Sequence, residues 1–332
     1  MKILVTGNLG YVGSHLTDLL LKSGHEVVGC DLSLFPNSIC AQLTTPTIQW
    51  IKDFRKINSN DLRGIEAIAH LAGLSNDPMG NLNPGLTLRV NGEGTVSLAE
   101  LAKLAGVKIF AFASSCSIYG SSGNQPRTEF DETNPLSEYA ESKLFAEKGL
   151  MGLASRDFQV FLLRNATAYG ASSVLRTDLV VNDLSVGMFI NDFAEIRSDG
   201  SPWRPLIHCR DMARAFQMFI ESNPSHLSGS PINIGFDQEN FQVKDIGIGV
   251  QKAWPKGELV YLPNPSTDPR DYKVSFSLLK STFPKFQPLH PLSRGIFELR
   301  NFLELIRYSR SDYDSKRYVR LNEIKNRIGE IS

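Results

Sequence analysis

The chain is poor in cysteine, carries no excess of either charge and contains no long apolar run. Its four cysteines, Cys30, Cys40, Cys116 and Cys209, are widely separated with no C-x-x-C pair. That spacing argues against a disulfide framework and against a zinc site, so reduced thiols and no metal are expected. Thirty-five Lys and Arg stand against thirty-five Asp and Glu, which excludes a global field that would draw nucleic acid or an anionic membrane. No apolar stretch approaches membrane-spanning length, and Met1-Lys2 leads into an apolar strand without a charged leader before a cleavable segment. The expectation is a cytoplasmic protein acting on small molecules. Repeats and low-complexity tracts are also missing, and 332 residues suffice for one large core or for two unequal domains.

What is present is concentrated in residues 3 to 31. An apolar strand, Ile3-Leu4-Val5, runs into Gly7-x-x-Gly10-x-x-Gly13. Glycines at those points permit a tight strand-to-helix turn and let the backbone approach a diphosphate at the positive end of the helix. Leu16, Leu19 and Leu20 recur at helical spacing, Gly24 closes the helix, and a second strand ends in Asp31. This is a βαβ dinucleotide unit. A carboxylate at position 31 accepts hydrogen bonds from the adenosine ribose and repels a 2′-phosphate. No Arg or Lys lies between Asp31 and Gln49, so NAD is expected as the cofactor in preference to NADP.

Strand-like runs at 47–52, 67–73, 109–115 and 159–167 alternate with helical segments, which predicts a doubly wound parallel sheet of Rossmann type. Beyond Gly170 the pattern loosens into segments punctuated by Pro, Ser and Asn, as in a smaller mixed substrate-binding domain laid over the strand ends. Leu206-Ile207-His208 and the helical run 210–221 read as a return to the sheet. The expected division is therefore 1–170 with about 204–236 for the cofactor, and 171–203 with 237–310 for the substrate. Residues 311–332 form an extension, and the seven basic and four acidic side chains of 307–332 read as a solvated helix, with partner binding as the alternative.

Tyr139 and Lys143 lie four residues apart in a segment rich in helix formers, and so share one face. A neighbouring ammonium favours the phenolate, which predicts a lowered Tyr139 pKa. The pair follows the serine run Ser114-Ser115-Cys116-Ser117 by one connection.

Taken with Asp53-Phe54, His70-Leu71-Ala72-Gly73, Asn91 and Tyr119-Gly120, these motifs resemble, in order and over nearly the whole chain, the extended short-chain dehydrogenase/reductases. Within them they are similar to the NAD-dependent nucleotide-sugar epimerases and dehydratases, of the UDP-galactose 4-epimerase kind. The resemblance implies that Ser115 orients a substrate hydroxyl, Tyr139 exchanges its proton and Lys143 tunes the tyrosine; Ser114 is the alternative to Ser115. It implies a cofactor held by Gly7, Gly10, Tyr11, Val12 and Gly13, by Asp31, Asp53 and Phe54, and by Leu71, Ala72, Gly73, Asn91, Tyr139 and Lys143. The nucleotide sugar would meet Ser75, Ser117, Thr167, Arg176, Asn182, Arg204 and Arg270. A homodimer through helices near 88–105 and 138–154, packed as a four-helix bundle, is implied as well.

Two positions depart from the family pattern. Dehydratases carry Asp-Glu after the catalytic Thr, and fucose synthases and 3,5-epimerases carry Cys at the second of those positions. Here the pair is Cys116-Ser117, and a serine hydroxyl is a poor base for a carbon acid. Cys116 reads as a core or pocket-wall thiol. Where many members have R-x-x-N, this chain has Arg164-Asn165-Ala166-Thr167, while Val174–Leu179 with Asp268–Ser275 is similar to a subgroup whose sugar nucleotides include heptoses. His208 reads as a strand histidine. The expected function is a nucleotide-sugar 4-epimerase working through a transient 4-keto sugar. A 4-oxidase or 4-ketoreductase on the same scaffold is the alternative, and a non-catalytic NAD-binding sensor a more distant one.

Overall fold

The structure is a computed structural model that describes residues 1–121, 123, 125–262 and 270–327. In chain order its strands are β1 (Lys2–Thr6), β2 (Glu26–Asp31), β3 (Ile48–Ile51), β4 (Ala67–His70), β5 (Ile109–Ser115), β6 (Gln159–Asn165), β7 (Thr167–Tyr169), β8 (Phe193–Ile196), β9 (Trp203–His208), β10 (Pro231–Ile234), β11 (Asn240–Gln242) and β12 (Glu258–Tyr261). Seven of them form one parallel sheet in the order β10-β6-β5-β4-β1-β2-β3. Leu4 pairs with Val28 on one side and with Ile68 on the other. The strand order therefore reverses beside β1, and the crevice at the carboxyl ends of β1 and β4 is where ligands bind in open sheets of this kind.

The near-continuous apolar content of β1, β4, β5 and β6 has a direct cause, since these strands are covered on both faces. Ile3, Val5, Phe161 and Leu163 point into one core, which helices Gly13–Lys22 and Cys209–Ser222 roof through Leu16, Leu20, Phe216 and Phe219. Leu4, Ile68, Phe110 and Phe112 point into the other, closed by helices Gly94–Leu104 and Glu138–Met151 through Leu98, Ala99, Ala146 and Leu150. Helix Gly13–Lys22 stops at Ser23 and Gly24, whose φ of 80° a side chain would oppose.

Three expectations are corrected. The run at 159–167 is two strands, because the chain leaves the large sheet at Ala166 and β7 pairs with β9 in a three-stranded sheet. β9 itself does not join the large sheet; it pairs with β7 and β11, and the return is made by helix Cys209–Ser222 and by β10 beside β6. The segment from 307 is not a solvated helix. Tyr308 and Tyr318 are buried with Leu175, Leu299 and Leu303, and Ile324 is buried against the Leu4–Phe110 core. Charge in that stretch masked an apolar stripe, Tyr318, Leu321 and Ile324, at three-residue spacing. Among the described residues no helix is long and apolar enough to cross a membrane.

Candidate active site

One cleft opens at the carboxyl ends of β1, β4, β5 and β6, and its floor is the glycine turn. Gly7 has φ 75°, and a Cβ there would stand 2.8 Å from the Ala72 amide nitrogen; a Cβ on Gly13 would overlap the Gly7 carbonyl. The turn thus has room for backbone only, and Gly10, Tyr11 and Val12 complete its lining. The Tyr11 hydroxyl donates to the Gly170 carbonyl at 2.6 Å. At the end of β2 the Asp31 carboxylate accepts from the amides of Leu9 (3.2 Å) and Ser33 (2.8 Å). Burial outweighs those bonds and raises its pKa. Asp53 and Phe54 border the same end; burial works against the Asp53 charge, but the paired Arg55 at 2.7 Å holds the carboxyl below its usual range. Leu71, Ala72 and Gly73 form the opposite wall. A diphosphate-bearing dinucleotide fits this cradle of small residues, backbone amides and a ribose-facing acid.

Asn91 is the exception in the expected cofactor set. It lies outside the cleft lining, in a π-helical turn, Leu88–Glu93, that opens helix Gly94–Leu104. Its amide is committed to the backbone of Leu74, accepting at 2.8 Å and donating at 3.0 Å, and to Ser142. It holds the loop that carries Gly73.

Ser115, Tyr139 and Lys143 meet where β5 ends. Ser137 caps helix Glu138–Met151, accepting from the Ala140 amide, which aims Tyr139 and, one turn on, Lys143 into the cleft beside Ser115. The Lys143 Nζ stands 5.7 Å from the Tyr139 ring centroid and 4.8 Å from that of Phe112. The predicted lowering of the Tyr139 pKa is corrected. Burial and the Asp77 carboxylate push it up to about 12, with Ser115 and Arg176 opposing. Lys143 lies over the Phe112 and Tyr139 rings, and burial lowers its own pKa to about 8. Ser114 is otherwise engaged: its hydroxyl donates to Glu147 at 2.5 Å, and Glu147 is paired with Arg164 at 2.8 Å.

The cleft is also lined by Ser75, Ser117, Thr167, Arg176 and Arg270. Ser117 is 7 % exposed and its hydroxyl has no hydrogen-bond partner among the described residues. Arg176 is paired with Asp178 at 3.0 Å and donates to Ser75 at 3.2 Å. Arg270 is paired with Asp77 across the mouth. Two further expected residues lie outside the lining. Asn182 is fully buried and spends its amide on Gly170, Arg176 and the Tyr11 hydroxyl, while Arg204 donates to the carbonyls of Trp203 and Arg270. Both position lining residues. Asp268 lies outside the described residues. Cys116 is buried and donates to the Arg164 carbonyl, with burial raising its pKa. His208 is the last residue of β9 and caps the helix after it, accepting from the Arg210 amide.

The cleft also contains residues that sequence reasoning passed over: Asp77, Asn165 and Arg320. Asn165 presents a buried Oδ1 without a partner, and its place one residue before the strand break was the available signal. For Asp77 and Arg320 no local pattern marks a ligand, since their positions follow from loops that only the fold brings together.

A family model described as the NAD dependent epimerase/dehydratase family matches residues 3–235. UDP-glucuronic acid decarboxylase 1 of Xenopus tropicalis is 27% identical over 307 residues, covering 89% of this chain and 70% of that protein. UDP-glucose 4-epimerase of Mycolicibacterium smegmatis (strain ATCC 700084 / mc(2)155) is 33% identical over 246 residues, covering 71% of this chain and 77% of its own. Among solved structures, UDP-glucuronic acid 4-epimerase from Bacillus cereus, in complex with UDP-glucuronic acid and NAD, superposes with a TM-score of 0.80. It is 26% identical, covering 92% of this chain and 100% of that one. MoeE5 in complex with UDP-glucose and NAD gives 0.79 at 25% identity, covering 92% and 99%.

Proposed function

The chain belongs to the NAD dependent epimerase/dehydratase family, and within that family we propose that it is a nucleotide-sugar 4-epimerase. One observation carries this reading: Ser115, Tyr139 and Lys143 converge on the sugar end of the glycine-floored cleft, while the position two after Ser115 holds a hydroxyl and no carboxylate. NAD, when bound, takes a hydride from carbon and later returns it. Ser115 would hold the C4 hydroxyl by a hydrogen bond, and Tyr139 would accept its proton. The phenol is a weak base in the surroundings described, so Lys143 would have to lower its pKa in the loaded site. The Ser117 hydroxyl, buried and unpartnered among the described residues, would hydrogen-bond the sugar without competing for a carbon-bound proton. Inversion then needs the 4-keto sugar to present its other face before the hydride returns, with Tyr139 giving its proton back.

In this reading residues 1–170 with about 204–236 hold NAD, and 171–203 with 237–310 hold the nucleotide sugar. Arg176, paired with Asp178, and Arg270, paired with Asp77, would present their guanidinium forks to its diphosphate. Thr167 and Ser75 would meet sugar hydroxyls. Asn182 and Arg204 would act on the sugar through the residues they position. We propose a cytoplasmic homodimer through helices Gly94–Leu104 and Glu138–Met151. Leu104, Phe145 and Met151 on these helices are 86, 45 and 46 % exposed, and Phe145 meets Leu88, 38 % exposed, beside Gly92.

A second reading is favoured by the long match to a UDP-glucuronic acid decarboxylase. Oxidation of a uronic acid at C4 creates a β-keto acid, which loses CO₂ readily. Incubating the enzyme with UDP-hexoses and UDP-hexuronic acids and separating the products tests both. Epimers from either class support the proposal, a pentose product the second reading. Tyr139→Phe should lower turnover by about 10²- to 10⁴-fold, the span of general acid–base catalysis, while NAD stays bound. If nothing turns over and Tyr139→Phe changes nothing, the protein is a non-catalytic NAD binder.

A further inference from the structure

Arg320 belongs to the C-terminal extension, and yet it lines the cleft beside Asp31, Ser33 and Phe35. Its side chain is 5 % exposed, with Cζ over the Phe35 ring at 4.4 Å from the centroid. Its Nε and Nη2 are buried and have no hydrogen-bond partner among the described residues. A buried guanidinium with orphaned donors is costly unless an acceptor arrives. Asp31 and Arg176 line the same cleft as Arg320.

The segment carrying Arg320 is fastened on both sides of the cleft. Arg317 donates to the Asn37 carbonyl at 3.0 Å and Glu323 accepts from the Asn37 amide at 3.4 Å, which ties it to the loop after β2. The Thr177 amide donates to the Tyr318 carbonyl at 3.1 Å, which ties it to the segment before helix Val180–Asn191. Tyr318 and Ile324 are buried. The extension is therefore a strap that crosses the cofactor cleft between two points of attachment.

We propose that this strap closes over bound NAD, and that the orphaned Nε and Nη2 of Arg320 donate to its phosphate oxygens, opposite the glycine turn. Asp31 keeps the ribose hydroxyls, so the arginine does not convert the site to NADP. The strap retains the cofactor between turnovers, as an enzyme that regenerates its own NAD requires. The proposal rests on the NAD site and not on the sugar chemistry proposed above.

The test uses the full-length protein freed of dinucleotide, titrated with NADH by fluorescence, with no sugar nucleotide present. Arg320→Met keeps the stacking on Phe35 and removes the donors. It should weaken NADH and ADP-ribose alike by roughly ten- to a hundred-fold, the worth of charged hydrogen bonds, speed NADH release, and leave adenosine unaffected. Arg320→Lys, which keeps the charge and loses the fork, should fall between and serves if Arg320→Met does not fold. Unchanged NADH affinity in the folded variants would overturn the proposal. So would a loss confined to NADPH, which would assign Arg320 to a 2′-phosphate, or one confined to UDP, which would assign it to the substrate.

Discussion

Glu147 is the residue through which helix Glu138–Met151 is bolted to the sheet, and replacing it by glutamine tests that role. Its carboxylate is 1 % exposed and accepts from Arg164 Nε at 3.0 and 3.2 Å, from Arg164 Nη2 at 2.8 Å and from Ser114 at 2.5 Å. Arg164, 6 % exposed, also donates to the Tyr119 hydroxyl at 3.0 Å. Glutamine keeps the shape and one acceptor, but leaves a buried guanidinium without its counter-charge, a loss of about 3–5 kcal/mol for a broken buried pair. With an unfolding entropy of about 2.1 cal/mol/K per residue over 332 residues, a 3 kcal/mol loss lowers the Tm by roughly 4 °C. The same change removes the carboxylate that raises the Lys143 pKa, so that pKa falls further below its usual value. Urea and thermal unfolding of the cofactor-free protein, followed by circular dichroism, measure the first effect. Glu147→Leu combined with Arg164→Met should recover most of the loss, since both charges leave together. A Glu147→Gln loss under 1 kcal/mol, or a double variant no better than the single, would refute the assignment.

Two further outcomes are expected. Burial pushes the pKa of His70 down to about 3, and that of His208 down to about 2 with the help of His290 and Arg210. Both lie below the unfolded value, so the unfolded chain binds more protons and stability falls as pH drops below about 6.5. For His70 the loss is about 2 kcal/mol at pH 5, and His70→Gln should flatten that slope in denaturant titrations across pH 4 to 7. Light scattering should report a dimer, and Phe145→Glu with Leu104→Glu should give monomer; a wild-type monomer removes the proposed bundle.

The sequence was most informative where local chemistry and global position coincide. Gly7 and Gly13 can be identified without a structure because only glycine fits a turn that tight, and Tyr139 with Lys143 because helical spacing alone puts them on one face. β1, β4, β5 and β6 of the large sheet were legible because burial on both sides makes them continuous apolar runs, whereas the short strand β10 went unread. β9 misled for the same reason, as an apolar strand carries no mark of which sheet it joins. Asn91 and Asn182 show the opposite limit. A polar residue in the expected place has the same letter whether its amide faces a ligand or, as here, holds two loops of the chain together. Arg320 was hidden because its role depends on a strap more than 280 residues from the loop it covers, within a stretch whose charge reads as solvated.

Proton NMR of the reaction in D₂O, with NAD and a panel of nucleotide sugars, tests the central claim most directly. The account predicts inversion at C4 with no deuterium at carbon, because the hydride moves between sugar and cofactor without exchanging with solvent. Deuterium at C3, C5 or C6 would mean that a carbon-bound proton had been removed. It would contradict both the assignment of Ser117 as a mere hydrogen-bonding group and the 4-epimerase itself.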